Sequence, residues 1–388
     1  MNGQGSESTS GDEARLASGS PRAAGSRAEA VDRLDSAAVS PVWLRRPETP
    51  FSPAKERGSR PIYSLASMMR RNALPLILLL CGCESISTEQ REVLTACQRN
   101  APIYFEGGRL GQALDQANRG LEIEPDDYKL NAIKGAILLR QSEDNPRLLD
   151  EATALLQQVF DRRYPLRHEP YVLLYYGLAQ QKQGLRNLGE AIRLEDRARR
   201  MAERRAALSE QAKEQRRRAN ARLARADETL AHLLDLGALL RIAHKHRLQI
   251  ALQRGDDDGF AISAEAFLKE SASEQTFVRR EVERTQTPKY EAEQYAYLRK
   301  LRSEEIEVRA LYADWLFDRE QFEGTLAQLD RVLKLDPKRS NDYYNRGRVL
   351  MTLGRTEAAK RDFRLFLSMS NLPDDNDRKT YAVNALRQ

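Results

Sequence analysis

Two stretches of this chain, 306–339 and 340–373, align with each other at a spacing of 34 residues. A repeat of that length is one supersecondary unit, too small to bury its own apolar face, so neighbouring units must stack into a continuous core. The match extends to side-chain size. Ala313 aligns with Gly347, Leu316 with Leu350, Leu329 with Phe363 and Val332 with Phe366. Small residues at a fixed offset let two antiparallel helices approach, and the large ones fill the space between units. Pro337 follows the second apolar run of its unit, where a residue without an N–H ends a helix and turns the chain.

A second pair of units lies earlier in the chain. Tyr104, Gly108, Leu110, Ala113, Ala117 and Pro125 define one over 94–127, closed by Glu122-Ile123-Glu124-Pro125-Asp126-Asp127. Tyr128 and Gly135 open the next, in which Ser142-Glu143-Asp144-Asn145-Pro146 lengthens the turn before Ala152. Glu169, Tyr171, Tyr176 and Gly177 begin a third. The last C-terminal unit carries Tyr343, Gly347, Leu350, Gly354, Ala359 and Phe363. Together these residues resemble the tetratricopeptide repeat over about half of the chain beyond residue 82.

The resemblance implies an all-α fold, with tetratricopeptide-type helical-hairpin repeats (an α-solenoid) at both ends. It also implies a concave groove, lined by the first helix of each unit, that takes peptides or helices of other proteins. By repeat position, the C-terminal groove would use Asp314, Phe317, Asn341, Tyr344, Arg348 and Met351, and the N-terminal one Lys129, Ala132, Ala136 and Arg140.

Between the repeats, 187–254 contains no proline. Apolar or small residues recur there at steps of four and three: Leu194, Ala198, Met201, Leu208, Ala212 and Ala219, then Leu223, Ala226, Leu230 and Leu233. That spacing predicts a long charged helix able to lie in a coiled-coil seam and to project from the repeats. A further helix over 260–286 could fold back on it, and Pro288 separates that from 289–318. The stretch 193–225 is rich in arginine. Glu195, Glu203, Glu210 and Glu214 supply helical i,i+3 and i,i+4 partners, which favours a solvated face over an acidic partner. It has no aromatic residue on which a base could stack, so no nucleic acid is expected.

Residues 1–67, rich in Ser, Gly, Ala, Pro and Arg, cannot bury enough apolar surface to offset the entropy of ordering, which predicts disorder. Arg70-Arg71 then precedes an apolar run, Ala73 to Leu80, that is far short of the roughly 18–20 residues a spanning helix needs. This order matches an export signal over 68–82. Leu80-Cys81-Gly82-Cys83 resembles a bacterial lipobox, which implies cleavage before Cys83 and its lipidation. Such signals act at an N-terminus, so this reading brings with it translation from Met68 or Met69, leaving 1–67 untranslated. Glu84 after the cysteine, in place of Asp, points to an outer-membrane destination.

A net charge of +6 from 63 basic and 57 acidic residues decides nothing about partners. With Cys81 removed and Cys83 acylated, Cys97 keeps the one thiol, so packing rather than a disulfide must stabilise the fold. His244 and His246 at i,i+2 point to different faces of a helix and no metal set is completed. Asp256-Asp257-Asp258-Gly259 with Glu265 partly matches a calcium loop, but Arg254 occupies the first ligand position. Gly255 ending one helix and an Asp capping the next is the favoured account. No phosphate loop, nucleophile elbow or zinc-helix motif is present, and neither catalysis nor a cofactor is expected.

The expected organisation is a signal over 68–82, a linker over 83–93, repeats over 94–186, long charged helices over 187–288 and repeats over 289–388. The expected function is a non-enzymatic scaffold that binds proteins or peptides. It would be held by a lipid anchor to the periplasm-facing outer membrane of a bacterial cell envelope. The alternatives are a cytoplasmic adaptor without lipidation and a regulatory subunit of an envelope-assembly or cell-wall enzyme.

Overall fold

A computed structural model describes residues 86–161, 169–285 and 288–387. Residues 1–67, the signal over 68–82 and the lipidation site Cys83 lie outside the described residues. Among those described, the fold is all helical. No described helix is long and apolar enough to cross a membrane. The described residues form two compact units that divide between Gln183 and Gly184.

The first unit opens with α1 (Thr88–Glu106), α2 (Leu110–Ile123), α3 (Tyr128–Gln141) and α4 (Leu148–Asp161), and includes the start of α5 (Pro170–Arg200). Ser87 caps α1 reciprocally: its Oγ accepts from Gln90 N at 3.1 Å while Gln90 Oε1 accepts from Ser87 N at 2.9 Å. Asp127 caps α3 by accepting from Leu130 N at 2.8 Å. The small residues lie where helices meet. A Cβ on Gly135 would stand 2.7 Å from Leu156 Cγ, and one on Gly120 would overlap Leu130 and meet Cys97. Cys97 itself is buried beside Leu94, Ala101 and Leu130. The lengthened turn after α3 runs from Ser142 to Arg147.

In the second unit α5 does not continue as one long helix. It stops at Arg200, a 3-10 turn spans Ala202–Arg204, and α6 (Arg205–Asp235) returns antiparallel to it. Gly184 meets Leu223, where an added Cβ would lie 2.9 Å from Cγ. Nearer the apex, Arg216 holds Glu195 through two bonds of 2.6 and 2.8 Å. The 3–4 apolar spacing is satisfied within this hairpin: Ala198, Ala212, Ala219 and Leu223 are buried against its two limbs. Between Met201 and Leu208 the series has no large apolar residue, and there the chain turns. A second break follows at Leu236–Leu239, where Gly237 takes φ +65°.

Next come α7 (Leu240–Arg254) and α8 (Asp257–Thr285). Gly255 at φ +68° ends α7, and Asp256 Oδ1 accepts from Gly259 N at 3.0 Å to cap α8. The partial calcium loop is therefore a helix-to-helix corner. Helix α9 (Pro288–Phe317) lies against α8 and, at its C-terminal end, against α10 (Phe322–Leu335). Helices α7, α8 and α9 share an apolar cluster that includes Leu248, Phe260, Phe267, Val308 and Leu316.

The same three helices also share a buried ionic layer. Arg241 pairs with Glu304 and, at 2.5 Å, with Glu274; Lys245 reaches Glu304 at 3.3 Å; Tyr297 OH donates to Glu274 at 2.8 Å. Burial pushes the Glu274 carboxyl up to about 7, with Arg241 opposing the shift.

The chain continues through α11 (Ser340–Thr352), α12 (Thr356–Met369) and α13 (Asp377–Arg387). Gly347 lets the Phe363 ring approach until an added Cβ would be 2.7 Å from it. Phe363 and Phe366 are fully buried, and Ala382 and Ala385 of α13 pack on the same cluster.

Candidate protein-binding groove

Both helices of each repeat contribute to the core, and in the last unit Phe363 and Phe366 of the second helix fill it beside Tyr344 and Leu350 of the first. In the C-terminal region the candidate groove face comes from the end of α9, from α11 and from α13. Phe317, Asn341, Tyr344 and Arg348 come together there. The Arg348 guanidinium lies 5.0 Å from the Phe317 ring centre and 6.0 Å from that of Tyr344. Arg378, on α13, stands 5.8 Å from the Tyr344 ring centre and donates to Asn341 Oδ1 at 3.2 Å. Tyr381 meets Tyr344 edge to face at 6.0 Å.

Asp314 lies at the margin of this cluster. Its surface is exposed, yet its carboxyl is pushed up to about 6. Desolvation by neighbouring side chains is the largest cause. Repulsion from Asp342 and Asp318 adds to it, and Arg378 and Arg339 oppose it. Met351 is partly buried and packs on the Phe363 cluster.

The N-terminal positions are less uniform. Lys129 is exposed, with its Nζ 5.9 Å from the Tyr128 ring centre. Ala132 is partly covered by the cluster of Val159 and Val172. Ala136 is a correction: at 2% exposure among Phe105, Ala113 and Ile137 it offers a ligand no surface. Its small side chain serves the close approach of helices. Arg140 lies 5.1 Å from the Phe105 ring centre, and Phe105 meets Tyr175 at 5.6 Å. The Tyr175 hydroxyl is pushed up to about 12 by burial, with Arg140 opposing and Glu106 adding to the shift.

Both regions thus place an arginine over aromatic rings on first helices, a contact worth about 0.5–1 kcal/mol where exposed. Such a surface offers stacking, hydrogen bonding from guanidinium and amide groups, and charge. Among the described residues, no three His, Cys, Asp or Glu side chains are grouped to hold a metal ion.

The sequence reading missed Arg378 and Tyr381, although the signal was present. Arg378 stands one further 34-residue step beyond Tyr344, past the end of the aligned segments. It also missed Tyr175, which belongs to the third N-terminal unit.

Residues 314–383 match the tetratricopeptide repeat family. The matched segment begins at Asp314 and contains Phe317, Asn341, Tyr344, Arg348, Arg378 and Tyr381. No curated protein matches the chain significantly. Similar solved structures include a tetratricopeptide repeat protein from Parabacteroides merdae, 15% identical, covering 76% of this chain and 98% of that one at a TM-score of 0.30. The S. pombe nuclear import adaptor Nro1 is 10% identical, covering 78% and 98% at 0.35. The TPR2AB-domain of yeast Sti1, in its pHSP90 complex, is 11% identical, covering 76% and 98% at 0.23. None of the three superposes on this chain as a whole.

Proposed function

We propose that this protein is a non-enzymatic scaffold that holds protein or peptide partners in its first-helix grooves. The observation that carries the reading is the convergence of Phe317, Asn341, Arg348 and Arg378 around Tyr344, whose ring belongs to the core cluster of Phe363 and Phe366. Two guanidinium groups with the Phe317 and Tyr381 rings, backed by the buried Tyr344, suit a segment with acidic and apolar side chains in alternation.

We further propose that the scaffold is tethered to a bacterial envelope, at the outer membrane, through acylation of Cys83. The support is the order of basic, apolar and small residues over 68–83. A single acyl chain binds membranes only marginally, so two or three chains on the cysteine would be the stable anchor.

A photoreactive side chain placed at 348, compared with one at the exposed second-helix position 364, tests the groove in host cells. Discrete protein adducts from 348 that vanish in an Arg378→Glu background support it; the same adducts from both positions refute it. Intact mass of the membrane-purified protein tests the anchor separately. Cys83–Gln388 plus acyl chains is the expected species, and an unmodified chain from Met1 would leave an adaptor without lipid.

A further inference from the structure

The arginines of 193–225 do not form the uniformly paired helix face that their sequence spacing suggests. Glu214 takes Arg217 and Arg218 at 3.2 and 2.9 Å, Asp196 takes Arg199 at 3.5 Å, and Glu195 is drawn across the hairpin to Arg216. Because the chain reverses at Met201, Arg193, Arg197 and Arg200 at the end of α5 come to one apex with Arg204 and Arg205 at the start of α6. All five are exposed, and none has a carboxylate partner among the described residues. Three acids lie in the same span: Glu195 is held by Arg216, Asp196 by Arg199, and Glu203 stands in the turn. Met201 at the turn is 40% exposed and Ile192 is 44% exposed.

The position of these charges separates a structural role from a binding role. Arg197 and Arg200 occupy the last turn of α5, where the helix end is negative and a cation stabilises it. Arg204 and Arg205 have no such account. They stand at the positive end of a 31-residue helix, where an acid or a polar cap is favoured, and no side chain caps α6 there. Two arginines at that end disfavour the fold locally, and an external anion would offset the cost.

We propose that this apex is a docking contact for an anionic membrane surface. Its charges stand exposed on both limbs of a helix-to-helix turn, which fits a layer of phosphate headgroups better than a single ligand. Clusters of four to eight basic residues are what such a surface attracts. The absence of aromatic side chains leaves no platform for nucleic-acid bases. Met201 and Ile192 supply apolar side chains at the level of the headgroups. The contact depends on neither the groove nor the acyl anchor.

The test uses the full chain with Cys83→Ala, so that no acyl chain contributes. Its sedimentation is measured with vesicles of phosphatidylglycerol in phosphatidylcholine and with phosphatidylcholine alone. Binding is expected on the anionic vesicles only, weakening as salt rises. Changing Arg197, Arg200, Arg204 and Arg205 together to Glu should lower the affinity by roughly a hundredfold or more, with the helical spectrum and melting point retained. Reversing Arg217 and Arg218, which are paired on the α6 flank, should change it by less than about threefold, and Met201→Ser should weaken it several-fold at constant charge. Equal binding to neutral vesicles, indifference to the four reversals, or capture of a single-stranded oligonucleotide in preference to vesicles would each overturn the proposal.

Discussion

Helices α7–α9 and helices α11–α13 belong to the same unit and are held together by apolar and ionic contacts in different proportion. The C-terminal three meet mainly through size, Gly347 against Phe363 with Phe366, Ala359 and Ala382 completing the cluster, and their ionic contact is one arginine, Arg346 of α11, on the buried Asp362 of α12 at 2.7 and 2.8 Å. The α7–α9 group has an apolar layer of its own, but beside it lies a buried layer of Arg241, Lys245, Glu274, Tyr297 and Glu304. Size complementarity is tolerant of chemistry and intolerant of volume. An ionic layer is the reverse, since every member must keep its partner.

The largest effect should come from removing one member of that layer. Glu304→Ala leaves Arg241 and Lys245 with their shared carboxylate gone, and should cost about 3–5 kcal/mol in denaturant unfolding. A loss below about 1 kcal/mol would mean that water reaches the layer and that the contrast with α11–α13 is false.

Phe363→Ala should cost a comparable ~3–5 kcal/mol through the cavity it leaves. Gly347→Ala should cost about 1–3 kcal/mol by overpacking. The two positions should couple: Gly347→Ala combined with Phe363→Leu should be less destabilising than the sum of the single changes. Strict additivity would show that the glycine is there for another reason.

A pH series sharpens the comparison. The Glu274 carboxyl is raised above its ordinary value to about 7, so the folded state binds a proton that the unfolded state releases between the two values. That contribution is present below the ordinary carboxylate range and is lost as pH rises through about 7. The melting temperature should therefore fall from pH 5 to pH 8 more in the unaltered chain than in Glu274→Gln. Parallel profiles would remove Glu274 as the cause. The smallest effect is expected at Arg216→Ala, whose exposed pair with Glu195 should contribute only ~0.2–1 kcal/mol despite its two short bonds.

These regions differ equally in how well they could be read before any coordinates. Ala313, Gly347, Leu329 and Phe363 announced their pairing because a repeated small–large offset has few other causes. The ionic layer gave no such signal. Arg241 and Lys245 stand four apart among charged neighbours, as do residues on a solvated face, and Glu274 and Glu304 come from two other helices far along the chain. The α5–α6 reversal was hidden for a related reason. Apolar residues at steps of three and four state that a stripe must be covered without stating by which segment, and neither glycine nor proline marks the turn at Met201. In the candidate groove, repeat position gives the helix face and not the depth of a side chain: Arg348 is partly exposed, whereas Tyr344 at 7% and Ala136 at 2% exposure lie in the core.

Arg378 and Tyr381 belong to α13, the helix whose Ala382 and Ala385 lie on the core that Phe363 fills. The proposed recognition face and the closure of the core therefore share the same eleven residues. A protease cut near Asp374 or a frameshift just beyond it would not trim a spare tail. It would strip the proposed docking face of an arginine and a ring and, in the same event, uncover the apolar layer beneath, leaving a sticky surface.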